Sequence, residues 1–233
     1  VFLAGTAIIH IGYALLLQNG YRLGDLSVVY PIGRGSGALL AAAAGILLLG
    51  EHPGPVGIGG ILLIVAGVIA IGLPGRGGPA SPAPEAPSAR RPGAAMGITF
   101  ALLTGVTIAT YTLWDKYAVG SLGIPPVVED WATTLGVAIA LAPIALRDRQ
   151  RLATVWRGYR PQVLGAAALS PLAYILVLTA LRFTAVSVVA PSREVSVLFG
   201  VLLGRRLLGE GSLARRLIAA TAIVAGIITV AVG

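Results

Sequence analysis

GDLSVVYPIGRGSGALLAAAAGILLLGE, residues 24–51, is the stretch on which the fold turns. Between Leu26 and Leu49 it holds a single charged residue, Arg34, and shows neither the alternation of a half-buried strand nor the polar stripe of a surface helix. Roughly 20 apolar residues of helix cross a hydrocarbon core about 30 Å thick, so this run reads as a transmembrane helix. The rest of the chain agrees. Of 233 residues, 56% are apolar and 11% charged, and the mean hydropathy is +0.89. A chain of this composition is solvated by lipid, which excludes a soluble enzyme, a DNA-binding module and a secreted scaffold. With no Cys, thiol redox chemistry and thiolate metal sites are also excluded.

Working outward, eight apolar runs are long enough to span, near residues 1–18, 26–49, 56–73, 97–118, 127–146, 162–181, 186–208 and 213–232. The expected fold class is therefore an all-α membrane protein, a polytopic bundle of about eight transmembrane helices. Spanning strands would alternate polar and apolar residues, whereas Ile58 to Leu73 is apolar all round. One polar stretch interrupts the pattern. Residues 75–93, GRGGPASPAPEAPSARRPG, are rich in Pro, Gly and Ser and read as an exposed linker.

Laying the second span on the seventh reveals an internal repeat. At an offset of 160, Arg22 falls on Arg182, Ser27 to Val29 on Ser187 to Val189, Pro31 on Pro191 and Ser36 on Ser196. With one-residue shifts, Leu48-Leu49-Gly50-Glu51 falls on Leu207-Leu208-Gly209-Glu210, and Tyr13 on Tyr174. Matched Arg, Pro and Gly-Glu are not apolar filler. Spans one to three then correspond to spans six to eight, and the partners of spans four and five are expected upstream of Val1. The organisation expected is residues 1–73 as an incomplete first repeat of three helices, 74–95 as linker and 96–233 as a second repeat of five. Five helices per unit force the second copy to face the opposite way, the inverted-repeat plan of secondary transporters that expose a midplane site alternately to each side.

Five plus five helices, with a Leu-Gly-Glu closing the fourth helix of each unit, resembles the EamA group of the drug/metabolite transporter superfamily. Residues 24–51 and TAVSVVAPSREVSVLFGVLLGRRLLGE at 184–210 carry the resemblance, with two helices expected to be missing at the front. The resemblance implies a multi-pass protein of the plasma membrane, a bacterial inner membrane by expectation. It further implies export of small metabolites or drugs by alternating access, driven by a proton or another coupling ion. A small-molecule solute and the lipid bilayer are the partners implied; a homodimer is compatible, and neither a cofactor nor nucleic acid is expected.

Charges inside spans mark the candidate site. Arg34 lies eight residues after Leu26, about 12 Å into the helix at 1.5 Å per residue. Arg193 and Glu194 are equally deep after Val186. Insertion scales charge about 2.5–3.5 kcal/mol for Arg at a helix centre, so these residues are expected to face the bundle interior. Arg34 and Glu194 are separated by the repeat offset and are expected to pair across the pseudo-two-fold axis, either as a lock between repeats or as a counter-charge and proton carrier. Arg193 points about 100° away from Glu194 and is left for an anionic substrate group or another partner. Pro31 and Pro191, at similar depth, are candidate kinks that would open backbone carbonyls to a ligand. Tyr13, Tyr30 and Tyr174 are candidate lining residues, together with Tyr111. Trp114, Tyr117 and Trp131 near span ends read as interfacial anchors, and Asp115, Glu129 and Asp130 near ends as hydrated. His10, midway along the first span, is a packing residue or a proton relay. Gly97, Ala101, Gly105 and Ala109, four residues apart, read as a helix-packing face. GRGSGA at 33–38 matches a dinucleotide fingerprint in letters only, since no strand precedes it.

Loop charges are lopsided: thirteen of the 17 Lys and Arg flank one side of the eight-span arrangement and two, Lys116 and Arg182, the other. The positive-inside rule then puts the linker in the cytoplasm and the C-terminus outside, the reverse of what the resemblance implies. An intramembrane enzyme is the first rival class, but His-Glu-x-x-His and Gly-x-Ser-x-Gly are absent and the two His, at 10 and 52, lie on separate segments. No enzymatic activity is expected. A non-transporting sensor or partner subunit is the second rival.

Overall fold

The computed structural model describes residues 2–24, 26–72, 94–196 and 213–232. The linker, the remainder of the span expected to end at 208 and the second Leu-Gly-Glu therefore lie outside the described residues. Within them the chain is helical, with α1 (Phe2–Leu23), α2 (Leu26–Leu49), α3 (Pro55–Gly72), α4 (Ala94–Lys116), α5 (Pro126–Ala145), α6 (Arg149–Phe183), α7 (Val186–Ser192) and α8 (Leu213–Val232). Among the described residues, four stretches are long and apolar enough to cross a membrane: Phe2–Leu23, Val29–Leu49, Ala95–Ser121 and the merged Pro126–Phe183. Large apolar side chains stand outward on them, Ile8 at 68%, Ile139 at 71% and Leu176 at 62% exposure, as lipid-facing positions require.

The chain forms two compact units, and both draw on residues from either side of the linker. One unit comprises Val1–Gly12 and Leu113–Thr184, the other Tyr13–Thr112 and Ala185–Gly233.

In the second unit, the core is the seam between α3 and α8, where Ile61, Ile64 and Val68 meet Ile223 and Val230, with Ala42 of α2 at its edge. The helices approach closely because Gly60 and Gly226 meet backbone to backbone. A Cβ on Gly60 would lie 2.7 Å from the Gly226 carbonyl oxygen and 2.8 Å from the Val230 nitrogen. The spaced Gly and Ala of α4 pack on α2 and its approach: a Cβ on Gly97 would meet the Cα of Gly24 at 2.8 Å, and one on Gly105 the Gly37 nitrogen at 3.0 Å. Helix α2 runs unbroken through Pro31. After Leu49 the chain reverses at Gly50, whose φ of +66° suits a residue without a Cβ. The reversal delivers Glu51 to the start of α7, where its carboxylate accepts from the amides of Val186 (2.6 Å) and Ser187 (2.7 Å). Two of the amides that every helix N-terminus leaves without an intrahelical partner are thus satisfied.

In the first unit, α4 loosens into a π-helical turn, Tyr117–Ser121, closed by Leu122 N–H donating to the Tyr117 carbonyl at 3.0 Å. Residues 147–160, expected as an Arg-rich loop, are instead largely helical. The Asp148 side chain accepts from the Arg151 amide at 2.9 Å and caps α6, whose first turns end at a non-helical Tyr159 (φ −130°, ψ 27°) before the apolar part begins. Polar composition hid a helix start because a surface helix needs only a cap and good helix formers, not an apolar run.

Candidate functional site

Within the second unit, α2 and the turn that follows α7 bring two charges together. The Arg34 guanidinium grips the Glu194 carboxylate with both prongs of its fork, Nη2 to Oε1 at 3.1 Å and Nε to Oε2 at 3.2 Å. This side-on, two-point geometry is the strong form of the pair. The Glu194 side chain is 5% exposed and that of Arg34 18%, so the pair is largely withdrawn from water. Glu194 reaches it because α7 stops at Ser192 and a turn carries Arg193 and Glu194. The Arg193 amide donates to the Val189 carbonyl (3.2 Å) and the Glu194 amide to the Pro191 carbonyl (3.0 Å). Pro191 thus lies in the last turn of a short helix, whereas Pro31 lies inside a long one.

Arg193 faces elsewhere. Its Nη2 donates to the Tyr111 hydroxyl at 3.3 Å and its guanidinium carbon sits 5.7 Å from the centre of that ring. Tyr111 in turn meets Tyr13 edge to face, with centroids 5.6 Å apart. Arg34, Glu194, Arg193, Tyr111 and Tyr13 thus make one continuous polar and aromatic cluster. Tyr30, one turn before Arg34, is half-buried on the same face of α2.

Tyr174 belongs to the first unit. In the first unit its hydroxyl donates to the Asp115 carboxylate, and His10 Nε2 lies 3.0 Å from the same hydroxyl. His10 Nδ1 is 2.9 Å from the Thr6 carbonyl oxygen. The Thr6 hydroxyl accepts from the Trp114 indole (3.0 Å) and donates to Glu129 (2.6 Å). The acidic residues expected to be hydrated are the opposite: Asp115 is 1% exposed, Glu129 0% and Asp130 5%. Each lies near a helix end, but Tyr174 of α6 reaches Asp115 and Thr6 of α1 reaches Glu129. Trp114, expected as an interfacial anchor, is likewise packed within the unit, stacked on Phe2 with centroids 4.3 Å apart, whereas Tyr117 and Trp131 are exposed. Lys116 donates to the Leu181 carbonyl at 2.8 Å and the Thr184 carbonyl at 3.0 Å, capping the end of α6. Sequence reasoning missed this second centre. The available signal was the density of Thr, Trp, Asp and Lys at 112–116 inside an otherwise apolar helix. A separate cavity of about 670 Å³, lined by Leu146, Arg149, Leu152 and Trp156, contains none of these groups.

A lipid-solvated helical chain with charges paired in its interior defines a multi-pass membrane protein. Residues 95–232 match the EamA-like transporter family, and the chain belongs to that family of membrane transporters. No curated protein matches it. A solved structure, described only as "Crystal structure of protein", is similar over 95% of this chain and 74% of its own, at 18% identity and a TM-score of 0.67. That likeness concerns the fold.

Proposed function

We propose that the chain exports small metabolites or drugs across the plasma membrane by alternating access, with Arg34, Glu194, Arg193, Tyr13 and Tyr30 at its solute site or coupling centre. On this reading residues 1–73 and 96–233 are copies of one repeat. The observation that carries the proposal is the Arg34–Glu194 pair, formed between positions related by the offset of 160. A pair on equivalent positions of two repeats can open and reform as the repeats rock against each other. Each opening exposes a charge that solute or proton can satisfy. Arg193 on Tyr111 supplies a second cation beside the pair, and the Tyr13 and Tyr111 rings supply flat apolar surface for a solute. Tyr174, the remaining candidate lining residue, lies in the first unit with His10 and Asp115.

The test compares spent medium from cells expressing the wild-type chain and Glu194→Gln by mass spectrometry. Glutamine keeps the shape but removes the charge. A metabolite that accumulates outside only with the wild type supports export and places Glu194 in the cycle. Equal accumulation from both would remove Glu194 from the mechanism.

A further inference from the structure

The hydrogen bonds around His10 admit a proton count. A backbone carbonyl can only accept, so the contact between His10 Nδ1 and the Thr6 oxygen requires a hydrogen on Nδ1. Two contacts follow along the chain, His10 Nε2 to the Tyr174 hydroxyl and that hydroxyl to the Asp115 carboxylate. Each needs one hydrogen between its two heavy atoms. A neutral imidazole, a phenol and an ionised carboxylate bring two hydrogens to these three contacts. The third must be an added proton.

With it, the chain has two arrangements of equal charge. In one, an imidazolium donates from Nε2 to the Tyr174 oxygen and Tyr174 donates to the carboxylate. In the other, the protonated Asp115 donates to the Tyr174 oxygen and Tyr174 donates to Nε2 of a neutral imidazole. Moving the two hydrogens in step interconverts them, and the sum of charges stays zero. Without the added proton one contact faces lone pair to lone pair and the chain carries a net negative charge in a buried setting. Both consequences are costly there.

The surroundings fit this count. His10 is 7% exposed and Asp115 1%. Among the described residues, charged groups near these three include Glu129 of α5, reached through the Thr6 hydroxyl, and Lys116 of α4, next to Asp115 in sequence, whose ammonium is committed to the Leu181 and Thr184 carbonyls. The three members sit on α1, α4 and α6, so gaining or losing the proton makes or breaks a link among three helices.

We propose that His10, Tyr174 and Asp115 form a binding site for one proton, separate from the Arg34–Glu194 pair, and that uptake and release of this proton drives transport. The second half rests on the transporter reading above; the first does not. The chain has two histidines, so a His52→Gln background isolates His10. The full chain, reconstituted in lipid with isotope-labelled histidine, is titrated while the ring nitrogens are followed by NMR and the carboxyl band by infrared absorption. The expected result is one shared midpoint for His10 and the Asp115 band. Asp115→Asn should abolish the band and displace the His10 curve, and the milder Tyr174→Phe should separate the two titrations. A His10 curve unchanged in both variants, or separate midpoints in the parent, overturns the site. In cells, Tyr174→Phe should flatten the pH dependence of export. An unaltered pH profile overturns the coupling while leaving the titration result intact, and failure of the wild type to export anything refutes the transporter reading instead.

Discussion

Replacing Arg34 by Met leaves Glu194 as a carboxylate buried to 5% exposure with its two-point partner gone. At the observed separations of 3.1 and 3.2 Å, the gross attraction is about 5 kcal/mol at an effective dielectric of about 20. Desolvation of both ions offsets much of that attraction, so the intact pair contributes little net stability. Breaking it is another matter, because the remaining charge retains its desolvation cost without a partner. Loss of one partner of a buried pair costs about 3–5 kcal/mol. Arg34→Met should therefore lower stability by about 3 kcal/mol, somewhat under the full penalty because the Arg34 side chain is 18% exposed and water can follow its removal. The double variant Arg34→Met, Glu194→Met should recover most of the loss. The assay is denaturant unfolding in mixed micelles of the wild type, both single variants and the double, read as a double-mutant cycle. If the single variants each cost less than about 1 kcal/mol, or if their effects simply add, the pair is not the buried interaction described above.

Two further outcomes follow from the packing. Glu51→Ala frees the amides of Val186 and Ser187 at the start of α7 and should cost about 1–2 kcal/mol in the same unfolding assay, with Glu51→Asp intermediate. Gly60→Ala sets a methyl 2.7 Å from the Gly226 carbonyl oxygen, where backbone must give way, and should cost about 1–3 kcal/mol by prying α3 from α8. A neutral Gly60→Ala would mean that the α3–α8 seam is looser than described.

Much of the architecture was legible because its cause acts along the chain. A helix that lipid surrounds must be apolar for its whole length, so α2 could be read from residues 26–49 alone, to the same ends the structure gives. The Arg34–Glu194 contact was legible for a related reason. The offset of 160 that lays residues 24–51 on 184–210 in sequence also relates Arg34 to Glu194, and the two side chains meet. The helical start of α6 was not legible, because Arg-rich sequence is compatible with a loop and with a capped surface helix alike, and the cap of Asp148 on Arg151 decides between them.

Composition and the length of the apolar runs suffice for the helical, lipid-solvated class of the protein and for the depth of Arg34, Arg193 and Glu194 along their own segments. Which polar groups share a neighbourhood is set by the packing of helices distant in the chain. Tyr13 and Tyr174 occupy matching positions in sequence, yet one meets Tyr111 and the other bonds Asp115. Asp115 and Glu129 lie near helix ends, where distance along the helix suggests water, yet they are buried by Tyr174 and Thr6 from helices 59 and 123 residues away in the chain. Position along a helix fixes how deep a residue sits. Burial and partnership depend on what other helices bring to that depth, and only packing supplies that.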